Sequence, residues 1–433
     1  MPFEALRGFR DYLPPDAGAR SHLLEAMRGA ARRAGFQELE IPSVESLELY
    51  RVKSGEGIGE EVWGFSDKGD RPVALVPEST PSLARIFAAR AKSEALPVKW
   101  FTVSKIWRYE EPQSGRTREF VQFNLDLLGA GSAAADTEIL AAAAMLLDAA
   151  GAAGLYELRL NDRNLAEGLG RGLGATDSGR FFRALDRSRK ESAAWLEEEL
   201  EAVGLPAEAR ALLGDLVARS RAGVGPADAA DFLDRLAAMG LPEPAPAGLA
   251  RLRELLSLLG RVGIADRVLL DLTIVRGLAY YTGPVFEAFP KGTPARALLG
   301  GGRYDRLIEL FGGPPTPACG FALGDQTLEI LLRSAGRWPE GEPPLDAYVV
   351  AVTAGEVPLA IEWVARLRRA GIAADFDPMG RSMSGQLREA SRRKARRALL
   401  LGPRELARGV VLERDLETGA QRERAPEEVL AGG

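Results

Sequence analysis

Three arginines, Arg108, Arg116 and Arg276, stand near carboxylate and amide residues and are the strongest candidates for chemistry in this sequence. Fixed positive charge of this kind stabilises the charge that develops on phosphate during a reaction, and it needs no covalent nucleophile. The Gly-x-x-x-x-Gly-Lys-Ser/Thr loop of P-loop proteins does not occur in the chain. The pattern therefore predicts a nucleotide-phosphate site that works by positioning and electrostatics.

The scarcity of histidine and cysteine excludes several other chemistries. The 433 residues include one histidine, His22, and one cysteine, Cys319. A histidine-based metal cluster, a cysteine-rich zinc site and a disulfide framework are therefore excluded, and a Ser-His-Asp triad is disfavoured. Arginine, carboxylate, tyrosine and glutamine side chains remain for catalysis. The single cysteine fits a reducing cytoplasm.

Charge and hydropathy bear on nucleic-acid binding and on the cellular compartment of the protein. The net charge of −5 does not indicate nucleic-acid binding by the whole surface, so such a role requires a local patch. Arg381 and the run from Arg388 to Arg397 form the one dense basic cluster, which is either a solvated helix face or a phosphate-binding patch. The first residues contain no signal-peptide core, and no apolar run reaches the ~20 residues that span a bilayer. We expect a soluble cytoplasmic protein.

A predicted β-hairpin positions most of the candidate groups. Apolar and polar residues alternate from Val98 to Glu110 and again from Val121 to Leu127, and Pro112 to Gly115 supplies a turn between them. Since two strands alone are marginally stable, the hairpin belongs to a larger sheet. One of its faces is mainly apolar. The other carries the polar side chains Arg108, Glu110, Gln122, Asn124 and Asp126.

Two further segments have features that could serve a site. Thr80 is the predicted N-cap of a helix with Pro81 at its first position, which places Glu78 at the helix entrance, in either a structural or a functional role. The glycine run from Gly300 to Gly302 lets the backbone approach a neighbour or a ligand closely.

The order of predicted elements indicates an α+β fold with several regions. Residues 1–160 contain helices, the hairpin and short strands, among them 36–42, and residues 161–266 read as a helical insertion separate from the sheet. The sheet resumes over 267–336, beginning with a strand at 268–275, and 337–345 is a linker by composition. Residues 346–433 follow a βαβαβ order, which predicts a mostly parallel sheet in a separate domain.

These motifs together resemble the histidyl-tRNA synthetase family of class II aminoacyl-tRNA synthetases. The most specific match is Arg276 to Tyr281, which is similar to the peptide that distinguishes histidyl enzymes. The other matching stretches are Gly8 to Pro14 (the family's opening), Phe36 to Pro42 (motif 1), Arg108 to Asp126 (motif 2), and Gly301 to Asp305 with Gly320 to Gly324 (the approach to motif 3). The resemblance implies an antiparallel sheet flanked by helices, a helical insertion and an α/β anticodon-binding domain.

The resemblance also implies substrates, partners and site residues. ATP with Mg²⁺, histidine and tRNA(His) would be the substrates, and motif 1 would form a homodimer. Arg108 and Arg276 would be catalytic, with Arg276 supplying a charge that other class II enzymes take from a metal, and no protein cluster would hold a metal. The implied ATP residues are Arg108, Glu110, Arg116, Phe120 and Arg276. The implied histidine residues are Glu78, Ser79, Thr80, Arg108, Gln122, Asp126, Arg276, Tyr280 and Tyr281, and the basic candidates for tRNA are Arg381, Arg388, Arg392, Arg393 and Lys394.

Four positions depart from the family pattern. Val76 and Thr327 stand where arginine is usual, Ala279 replaces an aspartate, and Asp126 replaces a longer glutamate. Losing the arginine at 327 would cost ~2–4 kcal/mol of transition-state stabilisation unless another group compensates.

Two interpretations follow from these departures. The favoured one is an enzyme that makes histidyl adenylate and transfers histidine to the tRNA 3′ end. The alternative is a non-catalytic paralogue, of the type of the ATP phosphoribosyltransferase regulatory subunit, that binds histidine or partner subunits. Retention of Arg108, Arg116 and Arg276, and of a C-terminal domain with a basic cluster, favours the enzyme. The paired tyrosines disfavour a synthetase for another amino acid.

Overall fold

The computed structural model describes residues 3–54, 62–113, 115–275, 280–292, 296–341 and 345–431. The chain divides into two compact units, Met1–Pro339 and Glu340–Gly433. None of the helices in the described ranges is long and apolar enough to cross a membrane.

The first unit contains twelve α-helices and eleven strands among its described residues. The helices are α1 (Pro14–Arg33), α2 (Leu47–Ser54), α3 (Thr80–Arg90), α4 (Ala133–Leu147), α5 (Arg163–Gly172), α6 (Ser178–Ser188), α7 (Ala193–Ala202), α8 (Ala207–Ala222), α9 (Pro226–Ala238), α10 (Ala245–Arg261), α11 (Leu307–Leu310) and α12 (Asp325–Ser334). The strands are β1 (Gln37–Glu38), β2 (Val44–Ser46), β3 (Gly64–Ser66), β4 (Pro72–Leu75), β5 (Val98–Trp107), β6 (Glu119–Leu128), β7 (Tyr156–Asp162), β8 (Val268–Leu270), β9 (Pro284–Pro290), β10 (Leu299–Arg303) and β11 (Ala318–Gly324).

An eight-stranded sheet forms the centre of the first unit, in the order β1-β5-β6-β11-β10-β9-β7-β8. Its inner pairs are antiparallel, and only the edge pairs β1–β5 and β7–β8 are parallel. The predicted hairpin is confirmed: β5 and β6 pair from Val98 opposite Leu128 to Trp107 opposite Glu119. The strands β2, β4 and β3 form a small separate sheet. The α+β class is therefore confirmed.

The two faces of the hairpin meet different surroundings. On the apolar face Phe101 and Phe123 stack with ring centroids 5.4 Å apart, and both belong to one hydrophobic cluster with residues of α1 and α4. Burying each large apolar side chain there contributes about 1.5–3 kcal/mol. On the polar face Gln122, Asn124 and Asp126 are 7%, 1% and 1% exposed. Because buried polar groups are costly unless they have partners, this face requires specific partners or a ligand.

Three predicted boundaries differ from the structure. The strand expected over 36–42 pairs only at Gln37–Glu38. The strand expected over 268–275 ends at Leu270, because the Asp271 carboxylate accepts a hydrogen bond from the Thr273 backbone N–H at 3.0 Å and closes a local turn. The residue before α3 is Ser79, so Thr80 begins the helix and does not cap it.

The segment expected to lie apart from the sheet is helical but shares the core of the sheet. Its first and last helices, α5 and α10, contribute Leu165 and Leu252 to the hydrophobic cluster that contains Leu158 and Leu160 of β7. A Cβ atom placed on Gly248 of α10 would lie 2.5 Å from the Leu165 backbone nitrogen, so glycine permits the two helices to touch. This part of the prediction was wrong.

The second unit is an α/β domain with the predicted βαβαβ order. Its described elements are β12 (Ala347–Ala351), α13 (Val357–Arg369), β13 (Ala374–Phe376), α14 (Met383–Arg392), β14 (Arg397–Leu401), α15 (Pro403–Leu406), β15 (Val411–Asp415), β16 (Gln421–Arg424) and α16 (Pro426–Ala431). The sheet order is β13-β12-β14-β15-β16, parallel across the first three strands and antiparallel beyond them. Trp363 and Leu367 of α13 pack on this sheet.

Candidate active site

A cavity of about 820 Å³ lies against the large sheet. Its walls come from the loop between β5 and β6, from β6, β9, β10 and β11, from the start of α12 and from the end of α6. The insertion therefore contributes to a cavity whose other walls come from the sheet, the loop between β5 and β6, and α12. The predicted site residues among its lining are Arg108, Glu110, Arg116, Phe120 and Gln122.

The loop between β5 and β6 gathers two predicted arginines around one carboxylate. The Arg116 Nε lies 2.9 Å from Glu110 Oε2, and an Arg108 guanidinium nitrogen lies 3.8 Å from Glu110 Oε1. The Nε of Arg108 donates a hydrogen bond to the Pro77 carbonyl at 2.9 Å, which fixes the side chain at the entrance of α3. Its guanidinium lies 5.4 Å from the centre of the Phe120 ring. Arg276 and Ala279 lie outside the described residues.

Asp126 is the centre of a second group of side chains. The Tyr304 hydroxyl donates a hydrogen bond to Asp126 Oδ1. The rings of Tyr280 and Tyr281 lie 5.8 Å and 6.3 Å from the Tyr304 ring, and 4.7 Å from each other. Burial and the charge of Asp126 raise the pKa of Tyr304 well above its ordinary value, so this phenol stays protonated and remains a donor.

The two groups lie along one strand face. Gln122, Asn124 and Asp126 alternate on β6, which places Asp126 roughly 13 Å from Gln122 at the usual rise of a strand. Gln122 lines the cavity, whereas Asp126, Tyr280 and Tyr281 do not. The predicted ATP and histidine residues therefore occupy neighbouring positions that Gln122 and Asn124 connect.

The start of α3 meets the middle of this face. The Asn124 Nδ2 lies 3.5 Å from Thr80 Oγ1, at the outer limit of a hydrogen bond. Ser79 and Thr80 are buried, and Glu78 is half-buried beside them. The structure thus brings these three residues, all predicted to bind histidine, next to the polar face of β6.

Glycines make room for the contact between Tyr304 and Asp126. Gly320 on β11 pairs with Asp126, and a Cβ atom there would lie 2.4 Å from the Leu125 carbonyl oxygen and 2.5 Å from the Tyr304 hydroxyl. A Cβ atom on Gly301 would lie 2.2 Å from the Gly320 carbonyl oxygen. The close approach predicted for the glycine run is confirmed, with the protein's own strands as neighbours.

Two of the positions that depart from the family pattern have different surroundings. Val76 is fully buried in an apolar cluster with Tyr50, Val62 and Ile106. Its side chain therefore contributes to core packing where the family usually has a charged arginine. Thr327 lies in the cavity wall, where it leaves a neutral surface.

Several cavity residues were not predicted from the sequence. They are Asp186, Arg189, Lys190, Glu287, Arg296 and Gln326. Arg189 donates to the fully buried carboxylate of Asp271, which also accepts a hydrogen bond from Arg159 at 2.7 Å. Nothing local distinguishes Arg189 from the many arginines of the insertion. The role of Tyr304 was also missed, although the motif that contains it was recognised.

The basic residues predicted for tRNA lie on the second unit, around α14. All five are exposed. Arg381 and Arg392 pair with acidic neighbours, as do Arg393, 3.4 Å from Asp375, and Lys394, 3.9 Å from Glu340. Exposed pairs such as Lys394–Glu340 contribute about 0–1 kcal/mol, so a phosphate can displace the acidic partner there at small cost. The Asp377 partner of Arg381 is buried, so that pair is held more firmly. In the described part of the chain no carboxylate lies within 4.0 Å of the Arg388 guanidinium.

The large antiparallel sheet, its flanking helices and the α/β unit that follows define a class II aminoacyl-tRNA synthetase. Residues 8–328 match the family model described as histidyl-tRNA synthetase, and residues 346–432 match an anticodon binding domain. The chain therefore belongs to the histidyl-tRNA synthetase family, and it is an enzyme of the ligase class.

Relatives and solved structures agree with this assignment. The histidine–tRNA ligase of Thermoplasma volcanium is 37% identical over 97% of this chain and 96% of its own length, and that of Halobacterium salinarum is 38% identical over 97% and 95%. The crystal structure of histidyl-tRNA synthetase from a Nostoc species superposes with a TM-score of 0.87 at 25% identity, covering 100% of both chains. A Bacillus halodurans chain titled an ATP phosphoribosyltransferase regulatory subunit/histidyl-tRNA synthetase shares the fold at 23% identity, with a TM-score of 0.72 over 87% of this chain and 93% of its own.

Proposed function

We propose that the chain uses ATP to convert histidine into histidyl adenylate and then transfers the histidyl group to the 3′ end of tRNA(His). The observation that supports this most directly is the position of the buried Asp126–Tyr304 pair. It lies on the same strand face as Gln122, which borders the arginine-lined cavity. An amino acid held at Asp126 would present its carboxylate toward that cavity.

The cavity is the proposed ATP site. Arg108 contacts the α-phosphate, with Arg276 as the second charge, and Arg116 reaches the terminal phosphate. Glu110 binds the adenine edge and Phe120 stacks on the ring. Arg116 has to exchange its ion pair with Glu110 for a phosphate, and because its side chain is 46% exposed the exchange costs little.

The surroundings of Asp126 are the proposed histidine site. The Asp126 carboxylate accepts a hydrogen bond from one imidazole N–H, while Tyr281, with Tyr280 beside it, faces the other nitrogen. Glu78 and Thr80 bind the α-amino group, with Ser79 beside them, and Gln122 lies on the carboxylate side. A buried site that pairs polar groups rejects apolar analogues strongly, because such analogues leave its groups unpaired.

The proposed reaction requires no protein nucleophile. A carboxylate oxygen of histidine attacks the α-phosphorus, the bond to pyrophosphate breaks, and Arg108 and Arg276 stabilise the charge of the transition state. In the second step a ribose hydroxyl of the tRNA end attacks the adenylate carbonyl and AMP leaves.

Mg²⁺ would arrive with ATP and neutralise phosphate charge. The described residues contain no group of three or more His, Cys, Asp or Glu side chains placed to hold a metal ion. In the proposed reaction substrate phosphates bind most of the ion's coordination positions.

The remaining assignments are proposals of the same kind. Residues 1–160 and 267–336 form the catalytic domain, 161–266 the insertion, 337–345 the linker and 346–433 the anticodon-binding domain. The protein works as a cytoplasmic homodimer, with Arg381, Arg388, Arg392, Arg393 and Lys394 as the tRNA-binding cluster. Light scattering of the purified chain tests the dimer directly.

Histidine-dependent exchange of radiolabelled pyrophosphate into ATP tests the activation step. We expect exchange with histidine and none without an amino acid. A regulatory paralogue would bind histidine in equilibrium dialysis yet catalyse no exchange, and that result would refute the proposal. Asp126→Asn serves as the matched variant, with an expected rise in the KM for histidine.

A further inference from the structure

We propose that Arg296 is a further ATP-binding residue, which holds the β- and γ-phosphates beside Arg116 and supplies the charge that Thr327 does not. This inference rests on the proposed function, since it deepens the ATP site described above. Neither the motifs nor the comparisons point to Arg296.

The position of Arg296 is defined by two neighbouring elements. The residue precedes β10 and lines the cavity. A Cβ atom placed on Gly115, in the loop between β5 and β6, would lie 3.7 Å from Arg296 Cδ and 3.9 Å from Thr327 Oγ1. The Arg296 side chain therefore reaches the spot where the loop faces the start of α12. An arginine at 327 would project from α12 at that same spot.

The charges around Arg296 leave it available for a phosphate. The nearest loop carboxylate, Glu110, is paired with Arg116 at 2.9 Å. Arg189, another cation of the cavity wall, is held by Asp271. Within the described ranges no carboxylate lies within 4.0 Å of the Arg296 guanidinium. Burial and the nearby charge of Arg116 lower the pKa of Arg296, and the charge of Glu110 offsets this only in part.

A phosphate is the anion that suits this arrangement. The described wall of the cavity has five basic side chains against three acidic ones, a difference of two positive charges. A guanidinium forms paired hydrogen bonds with two phosphate oxygens, and two guanidinium groups on one phosphate chain stabilise it more than either alone. The phosphate chain of ATP is the ligand that the proposed reaction brings to this cavity, and pyrophosphate is the product that leaves it.

Relocating the charge gives a sharp test. Pyrophosphate exchange is measured for wild type, Arg296→Ala, Arg296→Lys and the double variant R296A/T327R, with Arg261→Ala as an exposed control. Arg296→Ala is expected to raise the KM for ATP about tenfold or more, with the KM for histidine within twofold of wild type, because a charge-assisted hydrogen bond is lost. The double variant is expected to recover most of the ATP affinity, since it returns a guanidinium to the same spot from α12.

Each other outcome counts against the inference. An Arg296→Ala enzyme with a wild-type KM for ATP would overturn it. Loss of activity with a lowered thermal unfolding midpoint and no rescue by R296A/T327R would assign Arg296 a structural role. If Arg296→Ala leaves pyrophosphate exchange unchanged and impairs only tRNA charging, Arg296 binds the tRNA 3′ end and not ATP.

The failure of the proposed function is distinguishable from the failure of this inference. If wild type shows no exchange with any amino acid, the activation step is refuted, and Arg296 is judged by ATP binding in equilibrium dialysis. An Arg296→Ala protein that binds ATP about tenfold more weakly than wild type supports the contact. Equal binding overturns it.

Discussion

The hydroxyl of Tyr304, just beyond β10, donates a hydrogen bond to the carboxylate of Asp126 on β6, and both side chains are buried. The rings of Tyr280 and Tyr281 lie 5.8 Å and 6.3 Å from the Tyr304 ring, beside this pair. In the proposed histidine site Tyr304 would therefore orient Asp126 and would act on the substrate only through it, as a positioning residue.

Replacing Tyr304 by phenylalanine tests this relationship. Hydrogen bonds to charged groups contribute about 1.5–3 kcal/mol, so Tyr304→Phe should raise the KM for histidine roughly tenfold or more. The KM for ATP should stay near that of wild type, because Tyr304 does not line the cavity. Steady-state pyrophosphate exchange measures both constants. Equal effects on the two substrates would show that the variant disturbs the whole site and would contradict the positioning role.

The buried carboxylate of Asp271 holds the end of α6 against the sheet. It accepts hydrogen bonds from Arg159 and Arg189 and is fully buried. Asp271→Ala removes the acidic partner of Arg189 and leaves Arg159 with Glu157 alone. Breaking a buried ion pair by removing one partner costs about 3–5 kcal/mol. We expect a thermal unfolding midpoint several degrees lower and a raised KM for ATP, since Arg189 lines the cavity. Asp266→Ala, at an exposed position nearby, is the control, and an equal shift in both variants would contradict the role of Asp271.

Asp162, which caps α5, gives the fold a pH dependence. Its carboxylate accepts a hydrogen bond from the Asn164 N–H at 2.8 Å, and burial raises its pKa to about 6. Between the unfolded pKa of about 3.9 and the folded pKa, the native chain binds more protons than the unfolded chain. The contribution of this group to stability therefore falls as pH rises through that window, and it stays low above it.

Asp162→Asn keeps an oxygen for the cap and removes the ionisation. The variant should therefore gain stability relative to wild type as the pH rises from 4 to 7. The gain in unfolding free energy should reach up to roughly 3 kcal/mol, seen as a higher unfolding midpoint than that of wild type. Thermal melts followed by circular dichroism at several pH values give the difference. A difference that is constant with pH, or that changes in the opposite direction, would contradict the argument.

The basic cluster on α14 should act on tRNA alone. Arg388 and Arg392 are exposed and four residues apart on one helix, so their side chains are neighbours. A variant with both changed to alanine should show a higher KM for tRNA, while pyrophosphate exchange stays unchanged. The slope of log affinity for tRNA against log salt concentration should fall by the amount that about two phosphate contacts contribute. The exposed Arg404 of α15 provides a matched control. If the double variant charges tRNA as wild type does at all salt concentrations, the cluster is a solvated face.

Local patterns predicted the elements, and contacts between distant parts of the chain limited the prediction of the site. The strands β5 and β6 and the βαβαβ order of the second unit could be predicted because the hydrophobic periodicity of each element is visible in its own sequence. The Tyr304–Asp126 contact joins residues 178 apart, and the Arg189–Asp271 contact joins residues 82 apart. No local signal marks such partners. By contrast, the early end of β8 was readable, since Asp271 followed two residues later by Thr273 is a turn signal.

Charging of tRNA tests the central claim most directly. The purified chain is incubated with ATP, Mg²⁺, radiolabelled histidine and tRNA(His), and acid-precipitable label is counted against reactions that lack ATP or contain another amino acid. We expect label on tRNA with histidine only, released by mild alkali as an ester would be. Binding of histidine with no charged tRNA, or charging by a different amino acid, would contradict the account.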